Sequence, residues 1–454
     1  MTATAHPSTG DTPSARNGAG TLIDGERLAI EGGPKTVTVP PGDRWQHISD
    51  AEIAAVTETL RSRDVYAPTR LFERAFADFV GARYAVALCN GTAAIHSALF
   101  AAGVRTGDEV IVPSYTWHAS ISPILHCGGT PVFCEVDPET YTADADDIAR
   151  RLTPRTRAVV VTHVLGNPAK MDAIMEICRP RGVRVIEDAS HAHGGSYDGV
   201  QVGVLGDAGC FSLQHSKAVS AVEGGVAVTN DVDLYERMVV LGRYGSIAEL
   251  LVTDTYRDLH NIGLGIKYRP NPLGMAMARV QLERLSELNE RRRAWFAWLD
   301  SRLGEMPGIV PQKVYPKAER GGLLLYAGKI VPEELGVPDS ALGALRRAIA
   351  SEGVPMTPGI TPYGYGKMHV EPVFSDFPFE QFGGPWGSPG GDGRRAKPLA
   401  SLPVTERLAD HIFWLSTAVD PDPVWLEQVV AAFRKVVAQA SRVASLAEAA
   451  GPAV

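Results

Sequence analysis

The amino-acid sequence predicts an α/β protein in which a mostly parallel sheet, covered by helices on both faces, is followed by a smaller α+β unit. Three observations lead there. Short β-branched runs alternate with helical stretches from about Ala75 to Asn230, the pattern of strands joined by crossover helices. A long charged amphipathic segment, QLERLSELNERRRAWFAWL at 281–299, makes a natural bridge into another unit. The bulk composition, 454 residues with 45% hydrophobic and 21% charged side chains, gives an ordinary soluble chain enough apolar mass for a sizeable core.

Residues 1–27 mix Ser, Thr, Gly, Ala and Pro with few large apolar groups. Such a stretch buries too little surface to offset its ordering entropy and reads as a disordered tail. A large unit is expected over 28–285, with strands at Tyr84–Cys89, Glu109–Pro113, Pro131–Val136, Arg157–Val164, Val183–Asp188, Cys210–Gln214 and Gly225–Asn230. Helical stretches separate them: TAAIHSALFAAG after the first strand, a Ser-rich stretch after the second and a Met-rich one after the fourth. Functional residues belong at the carboxyl ends of such strands. A small C-terminal unit is expected over 286–437, its Gly/Pro-rich FGGPWGSPGGDG (Phe382–Gly393) a mobile loop. The Ala-rich end, 438–454, reads as a second tail that could be the frayed end of a helix.

Charge and cysteine content exclude several functions. The net charge of −8 offers no bulk attraction to a phosphate backbone or an anionic membrane surface, so neither nucleic acid nor membrane is an expected partner. Five scattered cysteines with no C-x-x-C pair make neither a disulfide framework nor a zinc site, and no metal centre is expected. The N-terminal residues lack a basic region followed by an apolar one. Apolar runs such as Ala158–Val161 fall far short of the ~18 residues a spanning helix needs. A cytoplasmic protein is the expectation.

Chemistry concentrates in three places. Asn90-Gly91-Thr92 follows a strand and opens a helix, where free N–H groups and the positive dipole end favour a phosphate; a plain strand-turn-helix corner would look the same. The apolar strand Val185-Ile186-Glu187-Asp188 sets a carboxylate at the sheet rim with His191 three residues on, although Asp188 could equally cap the next turn. Lys217, in Phe211-Ser212-Leu213-Gln214-His215-Ser216-Lys217, would by itself be an ordinary surface charge. In this order within one α/β region they match the needs of pyridoxal phosphate: a phosphate cradle, a carboxylate for the pyridinium nitrogen and a lysine for the Schiff base.

From about Leu28 to Leu285, LAIEGG, NGTAAIHSALFAAGVRTGDEVIVPSYTW, HVLGNPAKMDAI, VIEDASHAHGG and GDAGCFSLQHSK with its following EGG occur in that order. On these motifs the chain resembles the DegT/StrS family of pyridoxal-phosphate-dependent sugar and aminocyclitol aminotransferases. The resemblance implies the fold type I (aspartate aminotransferase-like) architecture, with 28–285 as the large cofactor-binding domain, and a homodimer with active sites at the subunit interface. It implies Lys217 as the Schiff-base lysine and proton carrier, Asp188 beside the pyridinium nitrogen, and His191 near the phenolic oxygen. Trp117 would stack on the cofactor face, and Gly91 and Thr92 with Ser212 would hold the phosphate.

Three positions depart from the family pattern. Asn90 stands where members commonly have Ser, and Val222 where many have Gly, which fills a flexible turn with a β-branched side chain. Lys267, in Gly265-Ile266-Lys267-Tyr268-Arg269-Pro270, replaces an Asn that in many members reaches across to the other subunit's cofactor phosphate. A lysine there meets a phosphate, or an anionic substrate group, as a point charge. The implied reaction moves an amino group from L-glutamine or L-glutamate to a keto sugar or keto cyclitol, in secondary metabolism of the aminoglycoside-antibiotic or amino-sugar kind. Arg70, Lys267, Arg269, His260 and Tyr244 are candidate substrate contacts. Two other readings compete: a dehydratase or aromatising enzyme of the aminohydroxybenzoate synthase type, suggested by FSLQHSK with VEGG, and a non-catalytic regulatory paralogue. Retention of Lys217, Asp188, His191 and Ser212 argues against the second of these. Some dehydrating relatives carry histidine in place of the lysine; here His215 lies two residues before a lysine that is present, which favours transfer.

Overall fold

Seven strands build the main sheet of the computed structural model: β1 (Tyr84–Leu88), β2 (Glu109–Pro113), β3 (Thr130–Cys134), β4 (Thr156–Thr162), β5 (Arg184–Asp188), β6 (Ala208–Ser212) and β7 (Gly225–Thr229). Their spatial order is β1-β7-β6-β5-β4-β2-β3. From β6 to β3 every neighbouring pair is parallel, and only β7 runs antiparallel to its two neighbours. The structure describes residues 27–42, 48–323, 325–358, 365–375, 401–416 and 418–450. The loop expected at Phe382–Gly393 and nearly all of the tail expected at 1–27 lie outside them.

Alternation along the strands gives the sheet two apolar faces. On one, Val86, Val112, Val160, Ile186, Cys210 and Ala227 pack with Ile95, Ala98 and Leu99 of the helix Gly91–Ala101. On the other, Ala85, Ala87, Phe211, Val226 and Val228 meet Phe72 and Phe76 of the helix Ala67–Val80, while Ile111, Val159, Val161 and Val185 meet Ile174 and Cys178. The same parity sends Asp188 and Ser212 toward the face covered by the helix Gly91–Ala101, and Glu187 to the opposite face.

The 32-residue helix Pro272–Leu303 links this unit to the next. Met275, Ala278, Leu282 and Leu285 pack beside Phe72 and Phe211, whereas Trp295, Phe296, Leu299 and Leu303 enter a second core. That core lies on a four-stranded antiparallel sheet ordered Ile309–Pro311, Leu325–Ile330, Ile412–Ser416, Met356–Pro358.

The expected limits of the units need two corrections. Leu28 and Val37, read as the start of the large unit, are buried in the second core, where the carboxylate of Glu352 accepts the Ala29 N–H at 2.7 Å and the Thr36 hydroxyl at 2.6 Å. The C-terminal stretch, read as a tail or the frayed end of a helix, holds the helix Ala440–Ala450, whose Ala440, Val443 and Ala444 pack in the same core and so belong to the second unit. Apolar side chains at helical spacing outweigh the low-complexity look of that segment. All five cysteines are unpaired thiols. Among the described residues no helix is long and apolar enough to cross a membrane.

Candidate active site

The site forms where β1, β5 and β6 end. Asn90 caps the helix Gly91–Ala101: its side chain accepts the Ala93 N–H at 2.8 Å and its carbonyl the Ala94 N–H at 3.2 Å. The first four N–H groups of a helix have no intrahelical acceptor, so those of Gly91 and Thr92 are left for an acceptor outside the helix. A side chain on Gly91 is impossible without displacement, because its Cβ would lie 2.8 Å from the Cβ of Ser212. One on Gly225, which pairs with Ser212 on one side and Leu88 on the other, would lie 2.3 Å from the Asn90 carbonyl oxygen. Two glycines thus bring the helix start against the Ser212 hydroxyl, a concave set of neutral donors suited to a phosphate.

Asp188 ends β5 and is 5% exposed. Its Oδ2 accepts the Ser120 hydroxyl at 2.6 Å and its Oδ1 the Ser190 N–H at 3.2 Å. Ser120 in turn bonds Thr116 at 2.8 Å, and Thr116 bonds Thr162 at 3.0 Å. A carboxylate offers about four acceptor positions, so Asp188, with two donors, keeps capacity for a further one from a ligand. Glu187 keeps none: His163 Nε2 at 2.9 Å and the N–H groups of Gly203, Leu205 and Gly206 at 2.7, 2.8 and 2.6 Å saturate it.

Lys217 follows β6 by five residues, its N–H turned to the Gln214 carbonyl at 2.8 Å. Burial lowers its amine to about 8, against an opposing pull from Asp188. Burial, and then the Lys217 charge, also hold His191 well below the usual imidazole range and bring His193 to about 3. Neutral imidazoles and a readily deprotonated amine therefore share one neighbourhood with an ionisable carboxylate. The donor set suits a ligand with a phosphate, a protonatable ring nitrogen and a carbonyl. Among the described residues no group of three or more His, Cys, Asp or Glu side chains is placed to hold a metal ion.

The remaining sequence candidates divide. Trp117 ends the short strand Tyr115–Trp117, 37% exposed, its ring 5.0 Å from that of His118. Lys267 is exposed and bridges Arg243 through the backbone, and the next residue's carbonyl accepts the N–H of Cys89, which directly precedes the capping Asn90, at 2.8 Å. Arg70 and Arg269 line a cavity of about 310 Å³ together with Tyr66, Arg243 and Glu249. The Arg269 guanidinium lies 5.8 Å from the Tyr66 ring and 5.9 Å from that of Tyr244. His260 stands apart, bonded to the Arg257 carbonyl at 2.8 Å. Val222 has φ +64° with its side chain exposed, the left-handed backbone a glycine would take without strain. Sequence reasoning missed Ser120, Thr116, Thr162 and His193. The Ser120–Asp188 contact spans 68 residues, and only the H-x-H spacing of His191 and His193 was there to be noticed.

A model of the DegT/DnrJ/EryC1/StrS aminotransferase family matches residues 46–359. The L-glutamine:2-deoxy-scyllo-inosose aminotransferase of Streptomyces fradiae is 35% identical over 356 residues, covering 76% of this chain and 83% of that protein. The GDP-perosamine synthase of Caulobacter vibrioides is 39% identical over 235 residues, 52% of this chain and 62% of that one. Among solved structures, 3-amino-5-hydroxybenzoic acid synthase matches with a TM-score of 0.72 at 27% identity, over 89% of this chain and 100% of that one.

Proposed function

Because the chain belongs to the DegT/DnrJ/EryC1/StrS aminotransferase family, whose members depend on pyridoxal phosphate, we propose that it transfers the amino group of L-glutamine or L-glutamate to a keto cyclitol or keto sugar in secondary metabolism. The observation that carries this reading is the convergence of Gly91, Ser212, Asp188 and Lys217 at one end of the sheet, with Asp188 and Ser212 on the same face. Gly91 and Thr92 N–H groups and the Ser212 hydroxyl would hold the cofactor phosphate, Asp188 its ring nitrogen, Lys217 its aldehyde carbon, and Trp117 and His191 its ring. When bound, the cofactor supplies an electron sink for the carbon that loses its proton. Asp188 would accept a hydrogen bond from the ring nitrogen, with one of its oxygens already held by the Ser120 hydroxyl. Lys217, with its amine lowered to about 8, exists partly as the free base near neutral pH and so takes up and returns a proton without a large energetic penalty. His191, kept neutral, would meet the cofactor ring without adding charge.

A homodimer completes the reading. Lys267, exposed beside the helix start, would meet the phosphate bound by the second copy, and Arg70, Arg269 and Tyr244 would face the acceptor there. The acceptor named for the Streptomyces fradiae relative, an inosose, favours a cyclitol over a nucleotide sugar. Dehydration or aromatising elimination keeps a structural neighbour in 3-amino-5-hydroxybenzoic acid synthase. Incubating the holoenzyme with L-glutamine and a panel of keto cyclitols and keto sugars decides the matter. An amino product identified by mass, with the matching 2-oxo acid, is expected; a dehydrated product with no 2-oxo acid would overturn the proposal.

A further inference from the structure

A segment from the C-terminal half of the chain, whose Met368 and Phe374 pack in the core of the main sheet, reaches the site through buried hydrogen bonds. Its strand Tyr365–Lys367 pairs antiparallel with Tyr115–Trp117, Gly366 opposite Thr116. Just beyond this pairing, Met368 N–H donates to the Ser114 carbonyl at 3.1 Å and His369 N–H to the Ser114 hydroxyl oxygen at 3.2 Å. The His369 ring lies between Ser114 Oγ, 2.6 Å from Nδ1, and Glu406 Oε1, 3.1 Å from Nε2. The Glu406 carboxylate can only accept, so Nε2 donates to it, and in the neutral ring Nδ1 then accepts the Ser114 hydroxyl proton. The Ser114 oxygen meanwhile accepts the His369 backbone N–H through a lone pair. Glu406 is itself steadied by the Leu402 N–H at 2.9 Å.

Serine, histidine and glutamate in this order have the spacing of a nucleophile triad, but the site cannot act as one. Ser114 is 0% exposed and His369 1%, and the serine oxygen already takes part in two hydrogen bonds. The arrangement is a brace. From the braced strand, Thr116 continues through Ser120 at 2.8 Å to Asp188 at 2.6 Å.

We propose that Ser114, His369 and Glu406 form a strut that ties the segment Tyr365–Val370 and the helix Pro403–His411 to the strand Tyr115–Trp117 and, through Thr116 and Ser120, fixes the Asp188 carboxylate in the orientation that receives the cofactor's ring nitrogen. Ser120 and His369 are positioning residues, and the inference rests on the assignment of Asp188 made above.

Titrating apoprotein with pyridoxal 5'-phosphate, read by visible absorbance beside the melting temperature of the apoprotein, tests it. Hydrogen bonds to a charged group carry enough energy for Ser120→Ala to weaken cofactor affinity about tenfold. Its melting temperature should stay near that of wild type, and Ser120→Thr should restore affinity. His369→Leu should weaken affinity comparably, and the double variant should lose little more than either single one, because both act on one chain of contacts. If His369→Leu does not fold, His369→Gln takes its place. Wild-type affinity in the folded His369 variant, or losses that multiply in the double variant, would overturn the strut. Asp188→Asn separates the two levels. If it weakens affinity while Ser120→Ala does not, only the strut fails; if it leaves affinity untouched, the assignment of Asp188 fails with it.

Discussion

Glu187 and Asp188 leave the same strand toward opposite faces of the sheet, and the two regions they enter are built differently. Around Glu187 the protein is closed: the carboxylate is 0% exposed and takes four hydrogen bonds, three from the backbone of Gly203, Leu205 and Gly206 and one from a buried histidine. Around Asp188 two donors are supplied and room for another remains. Burial alone therefore does not mark the functional acid. What separates them is whether the fold has used up the acceptor capacity, as it does for a structural carboxylate and does not for one reserved for a ligand.

The largest effect belongs to the open side. Lys217→Ala should abolish transamination and the visible absorbance of the bound cofactor; a variant with normal turnover would remove the lysine from the account. Next comes the contrast itself. Asp188→Asn should lower kcat/KM on the order of 10²–10³-fold while the protein melts as wild type. Glu187→Gln should do the reverse, costing about 2–4 kcal/mol of stability by turning an amide NH₂ toward N–H donors, with kcat in the folded protein nearly unchanged. Denaturant melts and steady-state rates on both variants check the crossing pattern; equal effects on rate would break it.

A pH effect sharpens the comparison. Burial lowers Lys217 from 10.5 to about 8, so the folded apoprotein releases that proton before the unfolded chain does. Between those values the unfolded state binds more protons and stability rises with pH. Apo Lys217→Met should therefore exceed wild type in stability by about 2–3 kcal/mol below pH 8, discounting partial solvent access, and lose that advantage by pH 10.5. Chemical denaturation at three pH values measures it, and a constant difference would contradict the assignment. The smallest effect is at the turn after the lysine. Val222→Gly should relieve a left-handed valine, φ +64°, and stabilise the protein by about 1 kcal/mol without changing cofactor affinity.

The parts of this site that could be read from the sequence are those encoded locally. Asn90-Gly91-Thr92 marks a helix start after a strand and Asp188 a strand end by an abrupt change from apolar to acidic, whereas Lys217 stands out only through the order of motifs it shares with the family. The alternation of strands and helices likewise announces a mostly parallel sheet. Ser120 and His369 could not be found in this way, because their partners lie 68 and 255 residues distant and a lone serine or histidine has no periodic signature. Leu28 and Val37 show the same limit in packing: hydrophobicity says that a side chain is buried, not in which of two cores. At the C terminus a helix could be read, but not that its Ala440, Val443 and Ala444 pack into the second core rather than fray.

Borohydride reduction of the holoenzyme followed by peptide mass mapping tests the central claim most directly. The account predicts the added mass of reduced pyridoxal phosphate on the peptide containing Lys217 and no other, and its disappearance when L-glutamine is added before the reductant. Label on any other lysine, Lys267 included, or label that L-glutamine does not discharge, would contradict it.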